Sequence, residues 1–154
     1  MFEGCPGSKM ADLRTIARED EAPAVKVNSQ LRQWPVQLHL VSPTAPYYQG
    51  ADVLLTADCV AYALANFHSD YLKGKSLAIA CPKLDSEQEI YYEKIKSWID
   101  DAEINTLTIL IMQVPCCSGL LRTAQRAVQD STRKVPVKYT IVGIQGDILS
   151  EEWL

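Results

Sequence analysis

Asp52-Val53-Leu54-Leu55-Thr56-Ala57-Asp58-Cys59-Val60-Ala61 is the stretch that decides the fold. Its first six residues contain a continuous apolar run, Val53, Leu54 and Leu55, where a half-exposed strand would alternate. A strand that is apolar on both faces is one covered from both sides, as in a parallel sheet. Directly after it, Val60, Ala63, Leu64, Phe67 and Tyr71 recur at helical spacing and read as one buried helix face. A strand passing within a few residues into an amphipathic helix opens a βαβ unit. Asp58 is read as the N-cap of that helix and Gly74 as its stop.

The same pattern repeats downstream. Residues 77–80, 107–114 and 137–144 read as further strands. Ile90, Tyr91, Ile95, Trp98, Ile99 and Ala102 form a second helix face, and Leu120, Leu121, Ala124, Ala127 and Val128 a third. Ser86-Glu87-Gln88-Glu89 matches a capping box and marks the expected start of the second helix. Upstream, residues 36–41 read as a first strand, stopped by Pro43 and Pro46. The link over 42–51 is too short for a crossover helix.

Residues 1–33 are expected to be an irregular segment packed on the rest. It holds a turn at Gly4-Cys5-Pro6-Gly7-Ser8, a short helix over 10–16 and a solvated loop at Glu19-Asp20-Glu21 closed by Pro23. The expected fold is one α/β domain over residues 1–154. Its core is a mostly parallel five-stranded sheet flanked by helices, a flavodoxin/Rossmann-like three-layer arrangement.

The bulk numbers agree with that fold. A chain of 154 residues, 47% hydrophobic and 22% charged, can bury a real core. With a net charge of −4 and no Lys/Arg stripe, nucleic acid is not an expected partner. The longest apolar run, 107–114, is broken by Thr108 and Gln113 and falls far short of the ~20 residues of a membrane span. Met1-Phe2-Glu3-Gly4-Cys5-Pro6 has neither the basic start nor the apolar core of a signal peptide. A cytoplasmic protein with reduced thiols is expected. Five cysteines, an odd number without framework spacing, make disulfides the weakest reading of them.

On this map the cysteines converge. Cys59 follows the strand over 52–57, Cys81 ends the one over 77–80, and Cys116 and Cys117 follow the one over 107–114. In a parallel sheet the carboxyl ends of the strands share one edge, the edge where open α/β sheets bind ligands. Cys5 lies in a Gly/Pro turn that can fold over that edge. Cys59 and Cys117 sit at expected helix starts, where partial positive charge lowers a thiol pKa. Soft thiolates suit an iron–sulfur cluster or Zn²⁺. A single buried cysteine is usually just a small hydrophobe; four on one sheet edge point to a site. Adjacent residues do not easily face one metal, so one of Cys116 and Cys117 is expected to ligate and the other to pack or bridge. Ser118 and Gly119, at a helix start, are candidates to offer backbone N–H groups to an anion or to cluster sulfides.

Other residues carry less. His39 reads as a packed histidine, His68 as an exposed one, and Asp85 as a residue that caps or precedes the second helix. Gly143-Ile144-Gln145-Gly146-Asp147 is placed at the same edge but is not a dinucleotide fingerprint.

Gly4-Cys5-Pro6-Gly7-Ser8, Gln33-Trp34-Pro35-Val36-Gln37-Leu38, Ala57-Asp58-Cys59, Ala80-Cys81-Pro82-Lys83-Leu84-Asp85 and Val114-Pro115-Cys116-Cys117-Ser118-Gly119 resemble the C-terminal domain of ferredoxin-type (4Fe-4S) iron–sulfur proteins of anaerobes and archaea. The resemblance spans nearly the whole chain. It implies an iron–sulfur or metal-binding role in electron transport, either alone or as an accessory domain of an oxidoreductase. Members of that family carry a ferredoxin module with C-x-x-C-x-x-C motifs ahead of this domain. No such module is present in this sequence, so a built-in electron donor is not assumed; the expected partner is a ferredoxin or other redox protein. Lys83 and Arg122 are the cations placed to meet an acidic one. The expected ligands are Cys59, Cys81, one or both of Cys116 and Cys117, and Cys5. Two other readings stand beside this one: a structural zinc site without redox role, and metal-free thiol chemistry at Cys59 or at the Cys116-Cys117 pair. Trp153 and Leu154 are apolar residues free to dock on the body or on a second copy in a homo-oligomer.

Overall fold

The strand opened by Asp52 has neighbours on both sides, and that decides the layout. The structure, a computed structural model, describes residues 9–14, 16 and 25–154. Strand β1 (Asp52–Ala57) lies between β2 (Ser76–Ala80) and β3 (Thr106–Met112), parallel to both. Strand β4 (Val137–Val142) adds in parallel beyond β3. Strand β5 (Ile148–Trp153) closes the row antiparallel to β4, giving the order β2-β1-β3-β4-β5. Helices α2 (Glu89–Asp100) and α3 (Ser118–Asp130) pack against each other. Helix α1 (Val60–Ala63) is a single turn followed by a wider turn over Phe67–Leu72. The fold is α/β, with a mostly parallel five-stranded sheet and flanking helices.

The core follows the apolar runs. Val53, Leu54, Leu55, Ile109 and Leu110 are fully buried in the central strands. Ile95, Trp98 and Ile99 of α2 and Leu120, Ala124 and Ala127 of α3 are buried with them. Burying each large apolar side chain contributes about 1.5–3 kcal/mol, which makes these central strands the stable body on which the loops are mounted.

Several expectations are corrected. Residues 36–41 are not a strand: Gln37 makes a lone bridge to Ile79, and the chain then turns, with Leu40 N and Val41 N donating to Gln37 O. The Gln37 side chain takes His39 N at 2.5 Å, which favours the turn over an extended course. The segment still shields the edge of β2, since Leu38 N donates to Ile79 O and the Gln33 amide pairs with both N and O of Leu77. The fifth strand is instead β5, whose Ile-Leu-Ser-Glu-Glu-Trp sequence is almost entirely exposed. Without a buried face it has no alternation to read, and the ladder to β4 holds it. The helix expected from Val60 to Tyr71 breaks at Leu64, which is extended at φ −86°, ψ 114°. Val60, Leu64 and Phe67 are buried all the same. The capping box does not form: α2 starts at Glu89, and Gln88 turns its amide back onto Pro82 O and Asp85 O. The strands expected over 107–114 and 137–144 end at Met112 and Val142. No helix is seen among the described residues of 10–16, and the loop at Glu19-Asp20-Glu21 lies outside the described residues.

Asp100 fastens the end of α2 to the chain after α3. It accepts from Lys96 Nζ at 2.5 Å, from Thr132 N and Oγ1, and from Arg133 N. The Lys96 ammonium, then the Thr132 and Arg133 donors, hold its carboxyl well below the usual range, against the effect of burial. A carboxyl depressed in the folded state adds stability above its unfolded pKa, and that share is lost as pH falls through the folded one. The urea midpoint should therefore fall between about pH 4 and pH 2. Asp100→Asn should start lower at neutral pH and fall less over the same range. An unchanged acid slope in the variant would remove Asp100 from this role.

Candidate functional site

Strand order reverses between β1 and β3, because the chain leaves β1 for β2 on one side and returns to β3 on the other. At such a reversal the loops beyond the carboxyl ends part and leave a crevice. Cys59 follows β1, Cys81 follows β2, and Cys116 and Cys117 follow β3. All four line one cavity of about 390 Å³ at this edge. All four are free thiols: Cys59 is exposed, Cys81 and Cys116 are half-buried, and Cys117 is buried. Met112, Val114 and Ile144 make the wall apolar, and Leu84, 82% exposed, stands at the mouth. The predicted convergence is present for these four. Cys5 lies outside the described residues.

Each cysteine is placed by a separate local device. Cys81 sits in a closed loop, where its N–H donates to Asp85 Oδ2 at 2.8 Å and its carbonyl accepts from Asp85 N at 2.9 Å. The same carboxylate oxygen accepts from Gln37 Nε2 at 3.2 Å and from the hydroxyl of buried Tyr91. The His39 ring lies 4.4 Å from that of Tyr91, and its Nε2 is 2.7 Å from Ser86 O. This cluster is what holds the Cys81 loop. Sequence reasoning took Asp85 as capping or preceding the second helix and Tyr91 as part of a core face; their partners, distant in sequence, left no signal. Cys116 and Cys117 lie in the tight turn Pro115–Cys117 that leads into α3, with Cys117 N donating to Val114 O.

The thiols are not activated as expected. Burial pushes the Cys59 thiol up, with further contributions from Cys81, Asp58 and Cys116. Burial pushes Cys117 up to about 11, and Cys116 adds to it. At Cys59 the helix-start effect is small, since α1 is one turn long and sums few peptide dipoles; at Cys117, which precedes the 13-residue α3, burial is the first cause of the rise. Asp58 is not the N-cap: Cys59 occupies that position without a side-chain bond. The Asp58 carboxyl is itself raised, by burial and then by Asp85.

Ser118 and Gly119 are not among the residues lining the cavity. Ser118 Oγ donates to Pro115 O and accepts from Arg122, which braces the turn below Cys116. Gly119 lets the start of α3 approach the Cys81 loop, since a Cβ there would lie 3.2 Å from Pro82 Cβ. The β4–β5 turn reaches the same edge, as expected, and contributes Ile144. Gly146 anchors that turn on α1: at φ +88° a side chain is strained, and a Cβ would meet Ala63 O at 2.5 Å. His68 is half-buried rather than exposed, with Nδ1 accepting from Gln30 N at 3.0 Å.

The donor set is soft and the surroundings are apolar, which suits a thiophilic metal group. Among the described residues no three His, Cys, Asp or Glu side chains form a set that could hold one metal ion. The four thiols share a cavity without converging on a single point. No helix among the described residues is long and apolar enough to cross a membrane.

The chain is 27% identical over 119 residues to an uncharacterized protein of Archaeoglobus fulgidus, covering 77% of this chain and 83% of that one. No solved structure matches it. The model of a family described as a Rossmann-like domain matches residues 45–154, from the turn before β1 through β5. Sheet, switch point and family match agree, and the chain belongs to the Rossmann-like domain family.

Proposed function

We propose that the protein binds an iron–sulfur cluster through Cys59, Cys81 and the Cys116-Cys117 pair and serves in electron transfer. The observation that carries this is the meeting of four free thiols, from the ends of three strands, in one apolar cavity. When bound, the cluster supplies one-electron chemistry. The chain's own part is to give up thiol protons on binding, to hold Cys81 through Asp85, and to exclude water with Met112 and Val114. A metal-free thiol mechanism is less well supported, because a nucleophile works as thiolate and the Cys59 and Cys117 thiols are raised rather than lowered. A single zinc ion needs three or four ligands at one point, and among the described residues no three His, Cys, Asp or Glu side chains form such a set. The family resemblance of the Cys-Pro and Pro-Cys-Cys motifs supports the same reading. Such a site works in a reducing compartment, here the cytoplasm, with a ferredoxin or other redox protein approaching over Leu84 and Lys83.

Iron and acid-labile sulfide analysis of protein purified without oxygen tests the proposal, read with the visible spectrum. The expected result is brown protein with iron and sulfide in equal amounts. Colourless protein without iron overturns it, and stoichiometric zinc in that preparation transfers the site to the structural reading.

A further inference from the structure

The two edges of the sheet are finished differently. At β2 the chain covers its own edge, with Leu38 N donating to Ile79 O and the Gln33 amide pairing with Leu77. At the other edge β5 pairs with β4 on one side, and among the described residues no strand pairs with it on the other. An uncovered edge strand is a template for a further strand, and Pro or Lys, two of the residues that guard such edges, are absent from β5. Which of its groups are free follows from the ladder. Leu154 N donates to Val137 O, so these two form a bonded pair. In alternation, Tyr139 with Glu152 and Ile141 with Ser150 are bonded pairs too. The N–H groups of Ser150 and Glu152 therefore face β4. The N–H groups of Glu151 and Trp153, and the carbonyls of Leu149 and Glu151, face outward.

We infer that two copies of the chain pair antiparallel through β5, about a two-fold axis at Glu151, and so join their five-stranded sheets into one. In that register Glu151 N bonds to Glu151 O of the second copy, and Trp153 N bonds to Leu149 O of the second copy. The two-fold axis makes each of these bonds twice. The strand is complementary to itself in this register. Leu149 and Trp153, 51% and 69% exposed in the single chain, stand opposite each other. Ser150 stands opposite Glu152, a hydroxyl donor against a carboxylate. Glu151 meets its own copy, and bare like charges there would oppose pairing. Lys138 Nζ lies 2.6 Å from Glu151 Oε1, so each carboxylate arrives with its counter-ion. The other register that matches outward groups sets Glu152 against itself, and its carboxylate bonds only the Tyr139 and Ser150 hydroxyls. Antiparallel pairing turns the cysteine edges of the two copies to opposite ends of the joined sheet. Each thiol cavity stays open, so a redox partner reaches either copy without passing the other. The pairing does not depend on the cluster.

Sedimentation velocity of the full chain, reduced and metal-free, tests the pairing without links through cysteine or metal. The mass is expected to rise from one chain to two between about 1 and 100 μM. Amide exchange followed by NMR reads the register. The Glu151 and Trp153 amides should slow as concentration rises, while those of Ser150 and Glu152 are slow throughout. Glu151→Pro removes an outward N–H and no bond to β4, and should leave a folded single chain. Trp153→Ala should weaken the dimer about tenfold. Lys138→Gln should weaken it severalfold by baring the Glu151 charges, and added salt should restore it. A single chain at every concentration, a dimer unchanged by Glu151→Pro or by Lys138→Gln, or outward amides protected even at high dilution overturns the inference. Should Glu151→Pro fail to fold, the amide pattern and Trp153→Ala decide. Because the protein is metal-free, the outcome is separate from that of the iron analysis.

Discussion

Replacing Cys81 with alanine is expected to leave a folded protein that has lost most of its iron and sulfide. Cys81 is half-buried at the end of β2. The bonds that hold its loop run through its backbone N and O to Asp85, so alanine keeps them. The stability cost should stay within about 1 kcal/mol. The thiol, by contrast, is the ligand that β2 brings to the cavity, the other cysteines there coming from the ends of β1 and β3. Cys117→Ala should differ in kind. That side chain is 6% exposed beneath α3, so its loss removes packing as well as a sulfur. Iron content and a urea curve on both variants separate the two effects. Full iron in a well-folded Cys81→Ala protein would remove Cys81 from the ligand set.

Trp98→Ala should cost about 3–5 kcal/mol, a large part of the ~5–15 kcal/mol that holds a domain together. Trp98 is fully buried on α2, and its ring centroid is 5.1 Å from that of Tyr48. Tyr48 in turn donates its hydroxyl to Leu77 O on the edge strand β2, at 2.8 Å. Deleting the indole therefore opens a cavity and loosens the contact between α2 and the segment before β1. Trp98→Phe should cost much less, about 1–2 kcal/mol. Phenylalanine refills part of the space and removes an indole N–H that is buried without an acceptor among the described residues. Urea unfolding of the two variants checks the pair. Equal losses would mean that neither the refilled volume nor the removal of the unpaired N–H offsets the change, and would overturn the cavity account.

Legibility from sequence followed burial. Strands β1, β2, β3 and β4 were readable because their apolar runs are buried by other elements, and burial leaves a periodic mark. The α2 and α3 faces were readable for the same reason. The bridge at Gln37, the break at Leu64 and strand β5 left no such mark. The turn after Gln37 rests on its side chain accepting from His39 N, the break on the extended backbone of Leu64, and β5 on its ladder to β4. Proline and glycine signals named the ends of the elements better than their partners.

The candidate site divides along the same line. Placing Cys59, Cys81, Cys116 and Cys117 on one edge needed only the parallel order of the strands, which the alternation of apolar runs and helix faces specifies. The sequence by itself thus determined the Rossmann-like sheet and which cysteines meet at its carboxyl edge. Only the tertiary structure decided how those thiols behave there. Burial raises the Cys59 and Cys117 thiols, the opposite direction to that expected from position alone. The Asp85–Tyr91–Gln37 cluster behind Cys81 joins residues from three separate segments. The unpartnered Asp58 oxygen exists only because neighbouring chain closes over it. Periodicity reports which side of an element faces inward; what a side chain meets there depends on segments distant in sequence, and folding alone brings those together.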